Sequence, residues 1–161
     1  MQPLVGQRNT HPYPAPTQAR SQIIALCKEQ GIRLWMSEVG SGGSGIAGNL
    51  NLAQKLMDDI RYIMPVAWVD WQYVEEGNDQ WCLVQADFTK QTYHQVKNYS
   101  IRQHFRKFIR PGYTFLTSLN GQTLAARTPD GDRLIIVAIN PNALPVVPRA
   151  DLSFYEHIRR A

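Results

Sequence analysis

Apolar residues fall into two regimes along the chain. Between residues 18 and 109, stretches with apolar positions every three or four residues alternate with short continuous apolar runs. Thr17 caps a helix predicted over 18–30, with Ala19, Ile23, Leu26 and Cys27 on one side and Gly31 at its stop. A strand follows over 32–38, then a glycine-rich loop over 40–48. Asn49 caps a second helix whose apolar stripe is Leu50, Ala53, Leu56, Met57 and Ile60. Pro65 ends that pattern, and Val66 to Tyr73 reads as a second buried strand. Glu75 to Asp79 reads as a polar loop. A third helix is predicted over 90–109, with Tyr93, Val96, Ile101, Phe105 and Phe108 facing a core.

Pro111-Gly112 closes the first regime, and turns then dominate. Tyr113 to Leu119 reads as a strand, Asn120-Gly121 as a hairpin turn, and Gln122 to Arg127 as the returning strand. Pro129-Asp130-Gly131 turns again into a buried strand over Leu134 to Ile139. Asn140-Pro141-Asn142 is a further turn, and Asp151-Leu152 begins another strand. The first regime suits parallel α/β structure; the second suits part of a small β-sandwich. The expected division is therefore residues 1–111 and 112–161. No internal repeat is present.

Length restricts the first part. The chain has 161 residues, whereas a complete (β/α)8 barrel takes about 250. Barrel sequence here is thus part of a barrel. Met1 to Asn9 shows no complete element before the loop His11-Pro12-Tyr13-Pro14, so the true N-terminus is expected upstream. The net charge is +4. Its densest basic run, Arg102, Arg106, Lys107 and Arg110, has helical spacing and reads as a solvated face. Aromatic and basic residues do not interleave as in single-strand binders, so no nucleic-acid partner is expected. Cys27 and Cys82 suggest no disulfide framework, and His11, His94, His104 and His157 lack zinc-ligand spacing with them. No metal or organic cofactor is implied. There is no apolar transmembrane run and no signal peptide, so no membrane partner is expected. Asn98-Tyr99-Ser100 fits a glycosylation sequon but falls mid-helix and reads as incidental. The oligomeric state is not encoded in these patterns.

Candidate chemistry concentrates at Leu34-Trp35-Met36-Ser37-Glu38-Val39-Gly40. An apolar run ends in a carboxylate, and glycines follow. A strand delivering a glutamate to its C-terminal tip is how an α/β barrel presents a catalytic acid. Local sequence leaves a solvated strand-end glutamate equally open. Gly40, Gly42 and Gly45 match a dinucleotide fingerprint, with Asp70 ending the next strand where a ribose-binding acid would sit. Ser37 and Glu38 intervene between apolar strand and glycines, however, and a carboxylate there opposes pyrophosphate. Dinucleotide binding is the weaker alternative.

Trp35, Trp68, Trp71 and Tyr73 cluster on the two predicted strands. Alternation places Trp71 and Tyr73 on one side and Gln72 on the other. Indole rings offer apolar planes to the C–H faces of sugars. Packing within the barrel is the favoured reading for Trp68 and stands equal with sugar contact for Trp35.

Four segments carry a family resemblance: His11-Pro12-Tyr13, Leu34 to Glu38, Ala67-Trp68-Val69-Asp70-Trp71-Gln72-Tyr73, and Phe105 to Tyr113. Leu124-Ala125-Ala126 and Leu134 to Asn142 continue it. In this order they resemble the C-terminal part of glycoside hydrolase family 30, in its bacterial branch close to endo-β-1,6-galactanases. The resemblance implies the end of a (β/α)8 TIM barrel, from the loop after strand six to the last helix, followed by part of a β-sandwich accessory domain. It implies a retaining O-glycosyl hydrolase with a carbohydrate substrate and Glu38 as nucleophile. His11 and Tyr13 would contact that glutamate. Trp71 would form a sugar platform, with Trp35, Gln72 and Tyr73 as further substrate-binding candidates. The family's acid/base glutamate, usually after an asparagine, has no match: no Asn-Glu pair occurs here. Glu75 and Glu76 are better explained as solvated loop charges. The chain is thus expected to carry half of a catalytic pair and to be inactive alone, its parent enzyme being secreted or periplasmic. A non-catalytic carbohydrate-binding remnant is the alternative.

Overall fold

A computed structural model describes residues 5–11, 17–40, 45–118, 120–147 and 149–151. Contacts divide the chain into two units, Met1–Tyr99 and Ser100–Ala161.

The first unit is built on three parallel strands, β1 (Gln7–Thr10), β2 (Arg33–Val39) and β3 (Ala67–Asp70), hydrogen-bonded in that order. Parallel neighbours need crossover connections. Helix α1 (Thr17–Gln30) supplies the first; α2 (Gly45–Asp58), extended by a π-helical turn (Asp59–Ile63), supplies the second. Gly31 ends α1 with φ +63°, and the Ile32 amide returns to the Cys27 carbonyl at 2.9 Å. Only a residue without Cβ adopts that left-handed geometry at low cost. Cys27, Leu34, Met36, Val39 and Ile63 form the core between sheet and helices, with Ile23, Ile24 and Trp68 packed against it. Helix α2 buries Leu52, Ala53, Leu56 and Met57. The expected stripe is thus largely present, although Leu50 and Ile60 are half-buried, Ala19 on α1 is exposed, and Leu52 joins the buried face.

Of three differences from expectation, the first and third share one cause, namely that pairing partners override local pattern. Polar Gln7–Thr10 carries no apolar signal, yet it pairs residue for residue with Arg33 to Met36. Asn49 is no cap, because α2 begins four residues earlier at Gly45. The expected helix over 90–109 shrinks to α3 (Lys97–Arg106). Residues before it enter a small sheet of β4 (Val74–Glu76), β5 (Val84–Asp87) and β6 (Thr92–Gln95). Asp87 turns the β5–β6 hairpin: its carboxylate accepts the Lys90 amide and pairs with the Lys90 ammonium at 2.8 Å. Phe105 is buried as expected, but Tyr93 and Phe108 are exposed.

Asn98 links these parts of the first unit from the start of α3. It is 1% exposed. Its oxygen accepts the Asn49 side-chain amide at 2.8 Å, and its own amide donates to the carbonyls of Gln80 and Cys82. The sequon asparagine is therefore enclosed and its amide already engaged. Cys27 and Cys82 are both buried free thiols.

The second unit holds an antiparallel meander of β7 (Thr114–Leu116), β8 (Thr123–Arg127) and β9 (Leu134–Ala138). Leu116 pairs with Ala125, a register that puts Asn120-Gly121 at the midpoint of the first connection. Gly131 has φ +79° and completes the second, with its amide bonded to the Thr128 carbonyl at 3.0 Å. These turns stand where the sequence places them. Leu119 and Leu152, which bound two expected strands, lie outside the described residues.

Replacing Asn98 with alanine leaves the Asn49 amide and two carbonyls without their partner. The expected loss is about 2–4 kcal/mol in urea denaturation. A loss below about 1 kcal/mol means the network is dispensable.

Asp130 gives a pH prediction. The Thr128 hydroxyl and then the Asp132 amide hydrogen-bond its carboxylate, holding its pKa below the ordinary value. Its contribution is present above the unfolded pKa of about 3.9 and is lost as pH falls through the lower folded value. The stability advantage of wild type over Asp130→Asn should therefore be constant above about pH 5 and shrink on further acidification. An advantage that grows below pH 4 contradicts this.

Candidate active site

The carboxyl ends of β1, β2 and β3 lie side by side. They bring His11, Glu38 and the Asp70-Trp71 step to one edge of the sheet. Simple alternation would place Glu38 on the face of Leu34 and Met36. Instead, the β2–β3 register shifts between Met36 and Val39, and Val39 takes the core position. Glu38 is left partly open, its side chain 27% exposed, with Oε2 3.4 Å from Nδ1 of His11. That separation exceeds an ordinary N–H···O bond. The contact is an ion pair whenever the imidazole is protonated, and a positioned polar contact otherwise.

The backbone around Glu38 is held from two sides. On the sheet side, the Trp71 amide donates to the Val39 carbonyl at 2.9 Å. On the helix side, the Lys55 ammonium of α2 reaches the Gly40 carbonyl at 3.3 Å. The catalytic candidate thus sits on a paired strand, with its exit into the glycine-rich loop tethered.

The other candidates separate by position. Trp35 lies within β2, half-buried, between Asn9 and Ala67 of the neighbouring strands rather than at the tip. Trp68 faces the opposite way, into the core cluster. Its indole N–H donates to Oδ2 of Asp59 at 2.8 Å. Asp59 is 3% exposed, and burial raises its pKa despite that hydrogen bond and the nearby Arg20. The expected strand over 66–73 stops at Asp70, and the Trp71–Gln72 peptide is cis. Strand alternation therefore does not govern Trp71, Gln72 and Tyr73. Trp71 is 49% and Tyr73 52% exposed, while Gln72 is half-buried and its carbonyl accepts the Leu83 amide. Tyr13 and Gly42 lie outside the described residues.

Glu75 and Glu76 are in β4 rather than in a loop. Glu76 accepts the Phe88 amide at 2.9 Å, and Oε2 of Glu75 is buried. Asp70, expected from the sequence only as a ribose-binding acid, ends β3 at the same edge of the sheet. It sits in register with Val39, beside Glu38. Its signal was available, since it ends an apolar run as Glu38 does. Among the described residues, no group of three His, Cys, Asp or Glu side chains could hold a metal ion. No helix among them is long and apolar enough to cross a membrane.

Three parallel strands joined by crossover helices, with a carboxylate at a strand tip, make this edge part of an α/β fold, and similar solved structures imply a TIM-barrel-related fold at partial coverage. The chain superposes on the glycoside hydrolase family 30 subfamily 8 xylanase Xyn30A of Clostridium acetobutylicum with TM-score 0.66 and 24% identity, covering 88% of this chain and 35% of that one. For the catalytic domain of family 30 xylanase C from Talaromyces cellulolyticus the TM-score is 0.55 at 21% identity, over 69% of this chain and 28% of that one. In sequence, the chain is 28% identical over 138 residues to an endo-β-1,6-galactanase of Hypocrea rufa, covering 85% of this chain. It spans 28% of that relative's length. No protein-family model matches the chain. The chain is thus similar in sequence to an endo-β-1,6-galactanase and in fold to glycoside hydrolases of family 30.

The two tryptophans around Asp70 should respond differently to truncation. Trp68→Ala, half-buried against the core and bonded to Asp59, is expected to cost about 2–4 kcal/mol. Trp71→Ala, half in solvent, should cost under about 1 kcal/mol. Urea denaturation checks both, and a reversed order would make Trp71 a packing residue.

Proposed function

We propose that this chain forms the nucleophile-bearing part of a retaining glycoside hydrolase acting on a polysaccharide or oligosaccharide, with β-1,6-galactan as the leading substrate. One observation carries the reading: Glu38 stands at the carboxyl tip of the middle parallel strand, turned off the core face, with His11 against it and exposed Trp71 just beyond the end of the next strand. The galactanase relative supports the substrate class.

Retaining hydrolysis needs two carboxyl groups about 5–5.5 Å apart across the anomeric carbon. In the proposed reaction, Glu38 attacks as a carboxylate and forms the glycosyl-enzyme. The second group protonates the leaving oxygen and then deprotonates the water that releases the sugar. His11 orients Glu38, and when protonated it also stabilises the attacking charge. Trp71 offers its indole face to a sugar ring, with Tyr73 beyond it. We assign the acid/base role to a strand other than β1–β3, since the family's Asn-Glu pair has no counterpart here. The 161-residue chain alone is therefore inactive. For a polymeric substrate we propose a secreted or periplasmic parent enzyme, since such a polymer does not enter cells.

In the complete enzyme, Glu38→Gln keeps size and removes the attacking charge. Turnover should fall roughly 10³-fold or more, and a mechanism-based fluoroglycoside should label Glu38 in wild type, as read by peptide mass. Near-normal turnover in the variant removes Glu38 from the nucleophile role. Saturable glycan binding without any transfer would instead favour a carbohydrate-binding module, the reading to which the exposure of Trp71 and Tyr73 also lends itself.

A further inference from the structure

The small sheet that follows β3 carries an unused surface. Cross-strand register puts Val74 beside Val84 and Ala86 opposite Tyr93 on one face. Ala86 is small and Tyr93 is long, so the face is hollowed. With Tyr73 at one end and Phe88 at the hairpin, it lines an open depression of about 660 Å³, within the range of ligand-binding clefts. Tyr73, Phe88 and Tyr93 are 52%, 65% and 79% exposed. Three aromatic rings so open to water on one face are unusual unless something lies on them.

We infer that this depression is a second glycan-binding surface, taking neutral sugar residues of the chain whose cleaved unit lies at Glu38. The inference rests on the proposed glycosidase reading. Three observations choose this occupant. First, the depression follows the candidate site closely along the chain: Tyr73 is two residues beyond Trp71, and its carbonyl accepts the amides of Leu83 and Val84 at 3.2 and 2.9 Å, which fixes it to the sheet. Second, the aromatic faces are bordered by uncharged hydrogen-bonding side chains, Gln91, Thr92 and Gln95. Sugars present C–H faces and hydroxyl edges, so rings for the former and amides for the latter match them. Third, the residues lining the depression include no Lys or Arg, and the lining carboxylate of Asp87 is paired with Lys90. Uronic acids, sulfated glycans, nucleic acids and anionic lipid surfaces would each call for cations there.

The test is affinity electrophoresis of the 161-residue chain toward the cathode, through gels containing β-1,6-galactan, xylan or β-1,6-glucan, with dextran as control. At least one of the three glycans should retard wild type saturably. The double variant Phe88→Ala/Tyr93→Ala should bind that glycan at least tenfold more weakly with an unchanged circular dichroism spectrum. Unchanged retardation of the double variant, or no retardation of wild type by any of the three, overturns the surface. So does a wild type that sediments as a dimer and a double variant that sediments as a monomer, since the rings then meet a second copy of the chain. Should the double variant lose its fold, Gln91→Ala/Gln95→Ala must weaken retardation at least threefold, or the inference fails. Loss of this surface leaves the hydrolase reading intact, because that reading stands or falls on turnover by Glu38→Gln.

Discussion

The arrangement at Glu38 depends on the break in the β2–β3 ladder between Met36 and Val39. A parallel strand covered by helices sends alternate residues into the helix layer, and an uninterrupted ladder would send Glu38 there after Leu34 and Met36. A carboxylate buried on that side would need partners or a proton. The shift hands the core position to Val39, which keeps the apolar cluster continuous, and releases Glu38 toward His11. One irregularity thus serves both packing and chemistry.

The surrounding structure fixes that edge in place. The Val39 and Gly40 carbonyls are held by the Trp71 amide and the Lys55 ammonium. Further along the same unit, Asn98 closes three segments at once by bonding to Asn49 of α2 and to the carbonyls of Gln80 and Cys82. A buried amide with its hydrogen bonds made specifies one arrangement of the chain, because any other leaves polar groups dry and unpaired. The β4–β6 sheet, with its open aromatic face, is therefore positioned by polar satisfaction as much as by apolar burial.

Much of this was legible in the residues. Apolar periodicity located α1, β2 and α2 to within a few positions, because one face of each must be buried. In the second unit, Asn120-Gly121 and Pro129-Asp130-Gly131 marked the connections, since few residues adopt such backbone geometries cheaply. A carboxylate closing an apolar run singled out Glu38, and ordered segments from His11 to Asn142 carried the family resemblance. The residues so determined their own conformational preferences and their burial tendency. Tertiary structure alone decided the rest. Polar Gln7–Thr10 became a strand only because β2 offered its backbone groups. Thr92–Gln95 left the expected helix because β5 paired with it. Tyr93 turned to solvent, and Glu38 left the core face, because side-chain direction follows register, and register is a property of two strands rather than of one.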